Sequence, residues 1–599
     1  LKSLIVLWNT LAEEFASRCC TSATLDIKTV QGRTKHEGLS FLTITLPSFG
    51  KDFQKSLDQG IVDRNLFQGF SWQAGLPRFL GGFLDHVFDR GSGVLVDNPD
   101  VEAILAIRQL TLLYSKILLP CSNARVEDAM SEYVNCDREV KENDALLRDS
   151  DFSEFRRMSR LLFADTFSSL DRQIHDEEVV PRHGPGATAE KLLGNQKFGN
   201  QTWTDRLQEV FSSENFLIPN ARYAHEDRFT YLEPGAEQPV RVISVPKTMK
   251  SPRIIAIEPS YVQYAQQAIR EPMYDLIEQH WLLRRFLDFS DQGPNQTMAK
   301  EGSEDGQTAT LDLSEASDRV SNQLVRCLFG DHPSLLKGVE ATRSRKADVP
   351  GHGVIRLAKF ASMGSALCFP VEAMVFLTII FLGIEKELNT RFTRASDFLR
   401  FTGRVRVYGD DLIIPIDTVE SVIQALEHFG ARVGPSKSFW IGRFRESCGK
   451  EYYAGHDVSI VKVRRVFPAS LSDGQGCISM VETRNQFYKS GNWQTVKYMD
   501  SKIRKVFKYF PVVEESSPVL GRHSFLGYKS ERECSFLHRP LVKGYVVRTI
   551  IPKNSLGDDG ALLKFFLKRG GQPSVDREHL VRSGRPRAVD IKPRWAPPF

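Results

Sequence analysis

Short apolar runs alternate with longer helical patterns along the second half of the chain. Val242–Val245, Arg253–Ile257, Thr308–Leu313, Arg404–Tyr408 and Leu412–Ile416 have strand length and are rich in β-branched residues. These runs predict an α+β core that begins near Arg241. The stretch before it mixes helical patterns, such as Val101–Leu118, with short strands and loops. Leu367–Ile384 is 18 residues long and nearly all apolar, but it contains Pro370 and Glu372 and follows a Gly/Ser turn. That combination predicts a buried core helix rather than a membrane span. No repeat is visible, and composition is biased only in the Pro/Arg-rich end from Ser583 to Phe599.

The chain has 599 residues, enough for roughly four folding units at about 150 residues each, or for one large lobed protein. With 41% hydrophobic and 26% charged residues it is globular, neither disordered nor collagenous. Nine cysteines make an odd count without a C-x-x-C pair, so reduced thiols and no zinc site are expected. The net charge of +5 is too small to mark a nucleic-acid binder. Its distribution says more, because Glu531–Phe599 holds 14 basic against 7 acidic residues. The apolar run Leu4–Trp8 is shorter than the core of a secretory signal and is closely followed by Glu13 and Glu14, so a cytoplasmic protein is expected.

The strongest local chemistry is VRVYGDDLIIPI, two acids between two β-rich runs, which predicts a hairpin turning at Gly409-Asp410-Asp411. Ninety-eight positions earlier, in TATLDLSEASDRVSNQLV, Asp312 ends a short strand and Ser314 is placed to cap the next helix. Strands presenting Asp312 beside Asp410 and Asp411 would gather like charges that need cations, and oxygen-only ligands point to magnesium. Two such ions suit in-line phosphoryl displacement. The plainer reading, two acidic turns on separate surfaces, stays open at this point.

Further segments favour the sharper reading. Ser362-Met363-Gly364-Ser365 leads into the apolar helix and could offer N–H groups and hydroxyls to a nucleotide. In VPKTMKSPRIIAIEP, Lys247, Lys250 and Arg253 could hold a triphosphate. Lys437 in GPSKSFW is a candidate proton donor to pyrophosphate, and RFRESCGKEYY adds Arg443, Arg445 and Lys450.

Together these segments resemble the RNA-directed RNA polymerases, the replicase catalytic beta subunits, of single-stranded RNA bacteriophages (the leviviruses). The order DLSEASDRVS, SMGSALCFPVEAMVF, VYGDDLIIP, GPSKS, RESCGKEYY is that family's motif order A to E. VPKTMKSPRIIAIEP, DQGPNQ, HEGLSFLTITLPSFGKDF and RHGPGATAE resemble its more N-terminal parts, so the likeness runs from about residue 35 to 460. The resemblance implies an α+β right-hand polymerase of fingers, palm and thumb with an antiparallel-sheet palm. Residues 1–300 would form the fingers and N-terminal region, with motif F near 245–259. Residues 301–470 would form the palm, and 471–599 the thumb and basic C-terminal region.

It further implies Asp312 and Asp410 as principal ligands of two Mg2+ ions, for which Mn2+ can substitute, with Asp411 assisting. Asp318, Ser317, Ser362 and Gly364 would lie near the ribose. The implied partners are an RNA template, nascent RNA, ribonucleoside triphosphates, host translation elongation factors and other bacterial proteins. The implied location is the bacterial host cytoplasm, with no membrane. Two competitors are a reverse transcriptase, which shares the acidic hairpin, and a non-catalytic RNA-binding scaffold using the basic C-terminal region and Trp595.

Overall fold

In the computed structural model, which describes residues 1–184, 186–199, 201–220, 222, 229–550, 554–568 and 588–599, the apolar runs fold as the sequence pattern predicts. Pro185 of RHGPGATAE and residues 583–587 of the Pro/Arg-rich end lie outside the described residues. The elements that matter for the site are, in chain order, α1 (Leu46–Gln59), α2 (Val101–Leu112), α3 (Asn123–Leu146), α4 (Asp149–His175), β1 (Val240–Val245), β2 (Arg253–Ile257), α5 (Ser260–Gln279), β3 (Thr308–Asp312), β4 (Lys346–Val349), β5 (Gly353–Arg356), α6 (Cys368–Leu388), β6 (Arg406–Tyr408), β7 (Asp411–Pro415), α7 (Val419–His428), β8 (Phe444–Ser447) and β9 (Lys450–Tyr453). Helices and sheets share the cores, so the α+β expectation holds.

A three-stranded antiparallel sheet in the order β6-β7-β3 lies at the centre. Its inward residues Val407, Leu412, Ile414, Ala309 and Leu311 share one apolar core with α4, α5 and α6. Helix α6 is the long apolar stretch of the sequence. Among the described residues it alone is long and apolar enough to cross a membrane, but it is 83% buried inside the fold. Apolar residues occur all round it because protein covers every side, and each fully buried Phe, Ile or Leu contributes about 1.5–3 kcal/mol. Its approach to α7 is close: a Cβ on Gly383 would lie 2.7 Å from Val422 Cα.

A second sheet, in the order β2-β1-β4-β5, pairs β1 with β4 in parallel and its other neighbours antiparallel. A second core joins the N-terminal helices, through Trp8, Phe49 and Phe53, to the later helices Gly474–Lys489 and Trp493–Val506, through Met480 and Met499. Farther on, Pro540–Ile550 pairs antiparallel with Ala588–Ala596.

Two local expectations are corrected. The helical pattern from Val101 ends at Leu112 instead of Leu118, because the following backbone pairs with another segment: Val463 N–H donates to Leu113 O and Leu118 N–H to Arg464 O. Ser314 caps no helix. Glu315, in a left-handed conformation (φ 54°), precedes the helix Ala316–Arg319, while Ser314 N–H extends the sheet edge by donating to Arg432 O.

Candidate active site

The hairpin places the acids by strand register. Tyr408 pairs with Asp411 across β6 and β7, so the turn is the two residues Gly409-Asp410 and Asp411 is already in strand. Gly409 has φ 63°, the left-handed region that an Asn-Gly or Gly-Asp hairpin turn requires. On the other edge of β7, Asp411 is the direct partner of Asp312, the last residue of β3. Directly opposed residues on antiparallel strands stand roughly 5 Å apart at Cβ, so register alone brings these two carboxylates together, with Asp410 at the tip beside them. The three aspartates are one cluster.

Like charges there must be met by cations or protons. Enclosure by the surrounding protein, then Asp410, Asp312 and Glu446, push the Asp411 carboxyl up to about 7. Asp410 is also raised, first by the surrounding protein and then by Asp312, although its turn tip is open to solvent. Lys437 supplies a cation directly, its Nζ lying 2.7 Å from Asp312 Oδ1. Burial disfavours the Lys437 ammonium, but Asp312 outweighs this and holds it protonated. The chain from Arg432 to Phe439 lies along the free edge of β3, with Gly434 N–H donating to Asp312 O and hydrogen bonds exchanged between Thr310 and Phe439. A Cβ on Gly434 would lie 3.2 Å from Asp312 O, so a small residue lets this segment approach.

The other expected residues fall into place unequally. Lys247 and Lys250 stand on the turn between β1 and β2, and Arg253 opens β2. That turn is fastened from the N-terminal side by Arg125 Nη1 donating to Met249 O at 2.6 Å and by Cys121 Sγ to Thr248 O. Lys247 is within electrostatic reach of Asp312 and Asp410, and its ammonium is lowered first by enclosure and then by Arg253 and Lys437. Ser362 and Asp318 meet, with Ser362 Oγ donating to Asp318 Oδ1 at 2.8 Å, and Ser317 faces the Cys368 thiol. Gly364 (φ 135°) lies on β2: Ala256 N–H donates to Met363 O, and a Cβ on Gly364 would sit 1.9 Å from Ala256 O. The loop's N–H groups are partly used internally, since Ser365 donates to Ser362 O and Ala366 to Gln266 Oε1. Arg445 is turned inward, fully buried on the carbonyls of Thr308, Gly442 and Phe444. Arg443 bonds Glu304 O and Lys450 pairs with Asp457, so these three cations serve the fold.

Sequence reasoning missed four basic residues and three acids. Lys51 on α1 and Lys116 after α2 feel Lys437 and either Lys250 or Lys247, and Lys116 also feels Lys462 and Arg464. Enclosure and these like charges bring Lys116 down to about 8. Lys51 and Lys247 remain exposed to solvent while lying within electrostatic reach of Asp312, so these cations are set near the aspartates without being sealed in the fold. Asp58 accepts from the Ile441 and Gly442 N–H groups and so ties α1 to the start of β8. Glu446 stands behind Asp411, and Glu372 on α6 lies against Gly409 near Asp410. The only sequence signal for Lys51 was its place in HEGLSFLTITLPSFGKDF; Lys116 carried none.

The donors around the three aspartates are all oxygen, as magnesium demands. Among the described residues, however, no three acidic, His or Cys side chains are set as a finished metal cage, and Lys437 occupies Asp312 Oδ1. The donor chemistry fits a divalent cation, with Lys437 engaging one of the two Asp312 oxygens.

Residues 225–517 match the family described as RNA replicase, beta-chain. The chain is 33% identical over 258 residues to an RNA-directed RNA polymerase subunit beta of Qbeta virus (strain MX1), covering 43% of this chain and 39% of that protein. It is 34% identical over 302 residues to the subunit of Escherichia virus Qbeta, covering 48% of each. It is 33% identical over 228 residues to the beta chain of Escherichia phage MS2, covering 37% of each. The matched region thus spans less than half of each relative's own length. A solved BmCPV RNA-dependent RNA polymerase aligns over 60% of this chain and 34% of its own at 12% identity, with a TM-score of 0.35, too slight a likeness to bear on the fold. The resemblance to the replicase beta subunits of single-stranded RNA phages is therefore shown over residues 225–517, the stretch that contains Asp312, Asp410, Asp411 and Lys437.

Proposed function

We propose that this chain synthesises RNA on an RNA template by nucleotidyl transfer, with the central sheet as a polymerase palm. The observation that carries the reading is the Asp312/Asp411 cross-strand pair with Asp410 at the adjoining turn and Lys437 on Asp312. Residues 1–300 are assigned to fingers, 301–470 to palm and 471–599 to thumb. RNA template and ribonucleoside triphosphates are the substrates, and host elongation factors are expected companions in the bacterial cytoplasm.

In this reading the 3′-oxygen of nascent RNA bonds to the α-phosphorus of a template-paired triphosphate, and the bond from that phosphorus to the β-phosphate oxygen breaks, releasing pyrophosphate. Asp312 and Asp410, with Asp411, would hold two magnesium ions, which when bound activate the hydroxyl and neutralise charge on the leaving group. Lys247, Lys250 and Arg253 grip the incoming triphosphate. Lys437, kept protonated by Asp312, supplies a proton to the departing pyrophosphate. Asp318, with Ser317, Ser362 and the Gly364 loop, faces the sugar. Most of the work is positioning and charge stabilisation, since phosphoryl transfer leaves little covalent chemistry to the protein.

The test is the full chain, with the bacterial proteins that accompany it, given RNA template, four ribonucleotides and magnesium. Asp410→Asn abolishes incorporation and leaves RNA affinity largely intact. Undiminished synthesis by that variant overturns the assignment.

A further inference from the structure

Asp318 stands apart from the aspartate cluster, on the helix Ala316–Arg319. Its Oδ1 accepts two hydrogen bonds, from Lys359 Nζ at 2.9 Å and from Ser362 Oγ at 2.8 Å. Among the described residues nothing bonds its Oδ2, and the Asp318 side chain keeps 18% of its surface exposed while that of Lys359 keeps none. A lysine sealed from water is tolerated only when paired, so this ammonium is committed to Asp318.

The pair is clamped from α3. Asp137 accepts the N–H groups of Ala358 and Lys359, both at 3.0 Å, and the Lys359 ammonium lies 3.5 Å from the centre of the Tyr133 ring. Tyr133 and Asp137, four residues apart, share one face of α3. The Tyr133 hydroxyl is 3.0 Å from Ser362 Oγ. Ser362 gives its only proton to Asp318, so Tyr133 is the donor in that contact, and the order runs Tyr133 to Ser362 to Asp318. The Lys359 ammonium and the Ser362 hydroxyl thus both donate to the same carboxylate oxygen, the ammonium also reaching Tyr133 O at 3.5 Å. The opposite oxygen, on a side chain that keeps 18% of its surface exposed, is left without a protein donor among the described residues.

We propose that Lys359 is a positioning residue for sugar recognition: it spends one Asp318 oxygen inside the protein so that the other can accept a hydrogen bond only from a substrate hydroxyl, favouring a ribonucleotide over its 2′-deoxy counterpart. The inference rests on the RNA-synthesis reading above. The physical basis is asymmetric. A sugar with the hydroxyl satisfies Oδ2, whereas a deoxy sugar covers a charged acceptor without pairing it, and sites built to bond a hydroxyl reject analogues that lack one far more strongly than apolar pockets do. Without Lys359 the carboxylate loses its anchor and can turn, and the discrimination goes with it.

The experiment measures kcat/KM for one ribonucleotide and its 2′-deoxy counterpart in template-directed single additions, using the full chain and Lys359→Met, Ser362→Ala, Tyr133→Phe, Asp318→Ala and the double variant Asp318→Ala/Lys359→Met. Lys359→Met is expected to lower the ribo/deoxy ratio roughly tenfold or more, mainly through a higher KM for the ribonucleotide. Ser362→Ala and Tyr133→Phe lower it less. In the Asp318→Ala background the Lys359 change has no further effect on the ratio, an outcome that general damage to the fold would not give. If Lys359→Met is insoluble, Ser362→Ala and Tyr133→Phe decide by the same ratio. An unchanged ratio in variants that still add ribonucleotides overturns this inference alone. Absence of any template-directed addition by the unaltered chain overturns the RNA-synthesis reading, and this inference with it.

Discussion

Lys437 Nζ and Asp312 Oδ1 lie 2.7 Å apart across the edge of β3, so a counter-charge bonded directly to the aspartate cluster comes from a segment 125 residues later in the chain. A proton donor to pyrophosphate must be charged at working pH, and Asp312 secures that by raising Lys437 against the opposing effect of burial. Lys437→Met is expected to lower kcat by about 10²- to 10⁴-fold, the usual worth of a general acid, with a smaller change in nucleotide KM. Single-turnover addition measures it directly. A variant with normal kcat would leave Lys437 as a counter-ion only.

Removing and restoring magnesium tests the same cluster through stability. A cation that binds only the folded chain stabilises it by about 1.4 kcal/mol at ten times its dissociation constant. Thermal melting at pH 8 should therefore rise with magnesium and return on chelation. Asp410→Asn and Asp411→Asn should blunt that response, because each removes a ligand charge from the cluster. An equal magnesium shift in all three proteins would place the cation elsewhere.

What was legible in the chain follows from what periodicity and local chemistry encode. The Gly409 hairpin, β2 and the buried α6 were readable because β-branched runs, turn residues and unbroken apolar length are local signals. Asp312, Asp410 and Asp411 came into view as a set only through two similar acidic frames and the family likeness; their meeting is a matter of β3–β7 register, which no local pattern states. Lys359 and Tyr133 were invisible for the same reason. Their partners lie 41 and 229 positions away, and a buried lysine reads in sequence like an exposed one. Arg445 shows the converse error, a cation beside aromatics that looked available and is sealed on backbone carbonyls.

The basic residues around the aspartates give a prediction that separates binding from chemistry. Lys51 and Lys116 stand within electrostatic reach of the Lys247–Lys250 turn and Lys437. Contacts of this kind help a triphosphate before and during reaction alike, so their loss acts on KM. Lys51→Met and Lys116→Met are each expected to weaken nucleotide KM roughly 5- to 30-fold, the equivalent of about 1–2 kcal/mol for a charge-assisted contact, with kcat nearly kept. Rising salt should shrink the difference. A fall in kcat at unchanged KM would contradict the assignment.

Glu258 makes stability depend on pH away from the aspartates. It follows β2, is buried, and accepts hydrogen bonds from Ser344 and Gln266. Burial outweighs those bonds and lifts its carboxyl from 4.5 to about 7. Between those values the folded chain holds a proton that the unfolded chain has released, so stability falls as pH rises through this window and is favoured below it. Glu258→Gln carries no such proton and should lose less stability than the parent between pH 5 and pH 8. Parallel melting curves across that range would show that Glu258 does not titrate there.

Gly409 is the residue on which the acidic hairpin turns, for two independent reasons. Its φ of 63° costs a residue with a side chain roughly 1 kcal/mol, and a Cβ would lie 2.4 Å from the Phe369 ring and 3.2 Å from Glu372 Oε1. Phe369 cannot yield freely, because it also packs edge-on against Tyr408, the strand partner of Asp411. Relief must therefore come from the turn itself, which carries Asp410. Gly409→Ala is expected to cost about 1–3 kcal/mol of stability from crowding and to lower kcat far more than RNA affinity, since the displaced Asp410 carboxylate is one of the proposed metal ligands. Denaturant melts and single-turnover rates on the same preparation check both halves, and full activity at reduced stability would show that the turn tolerates the shift without moving Asp410.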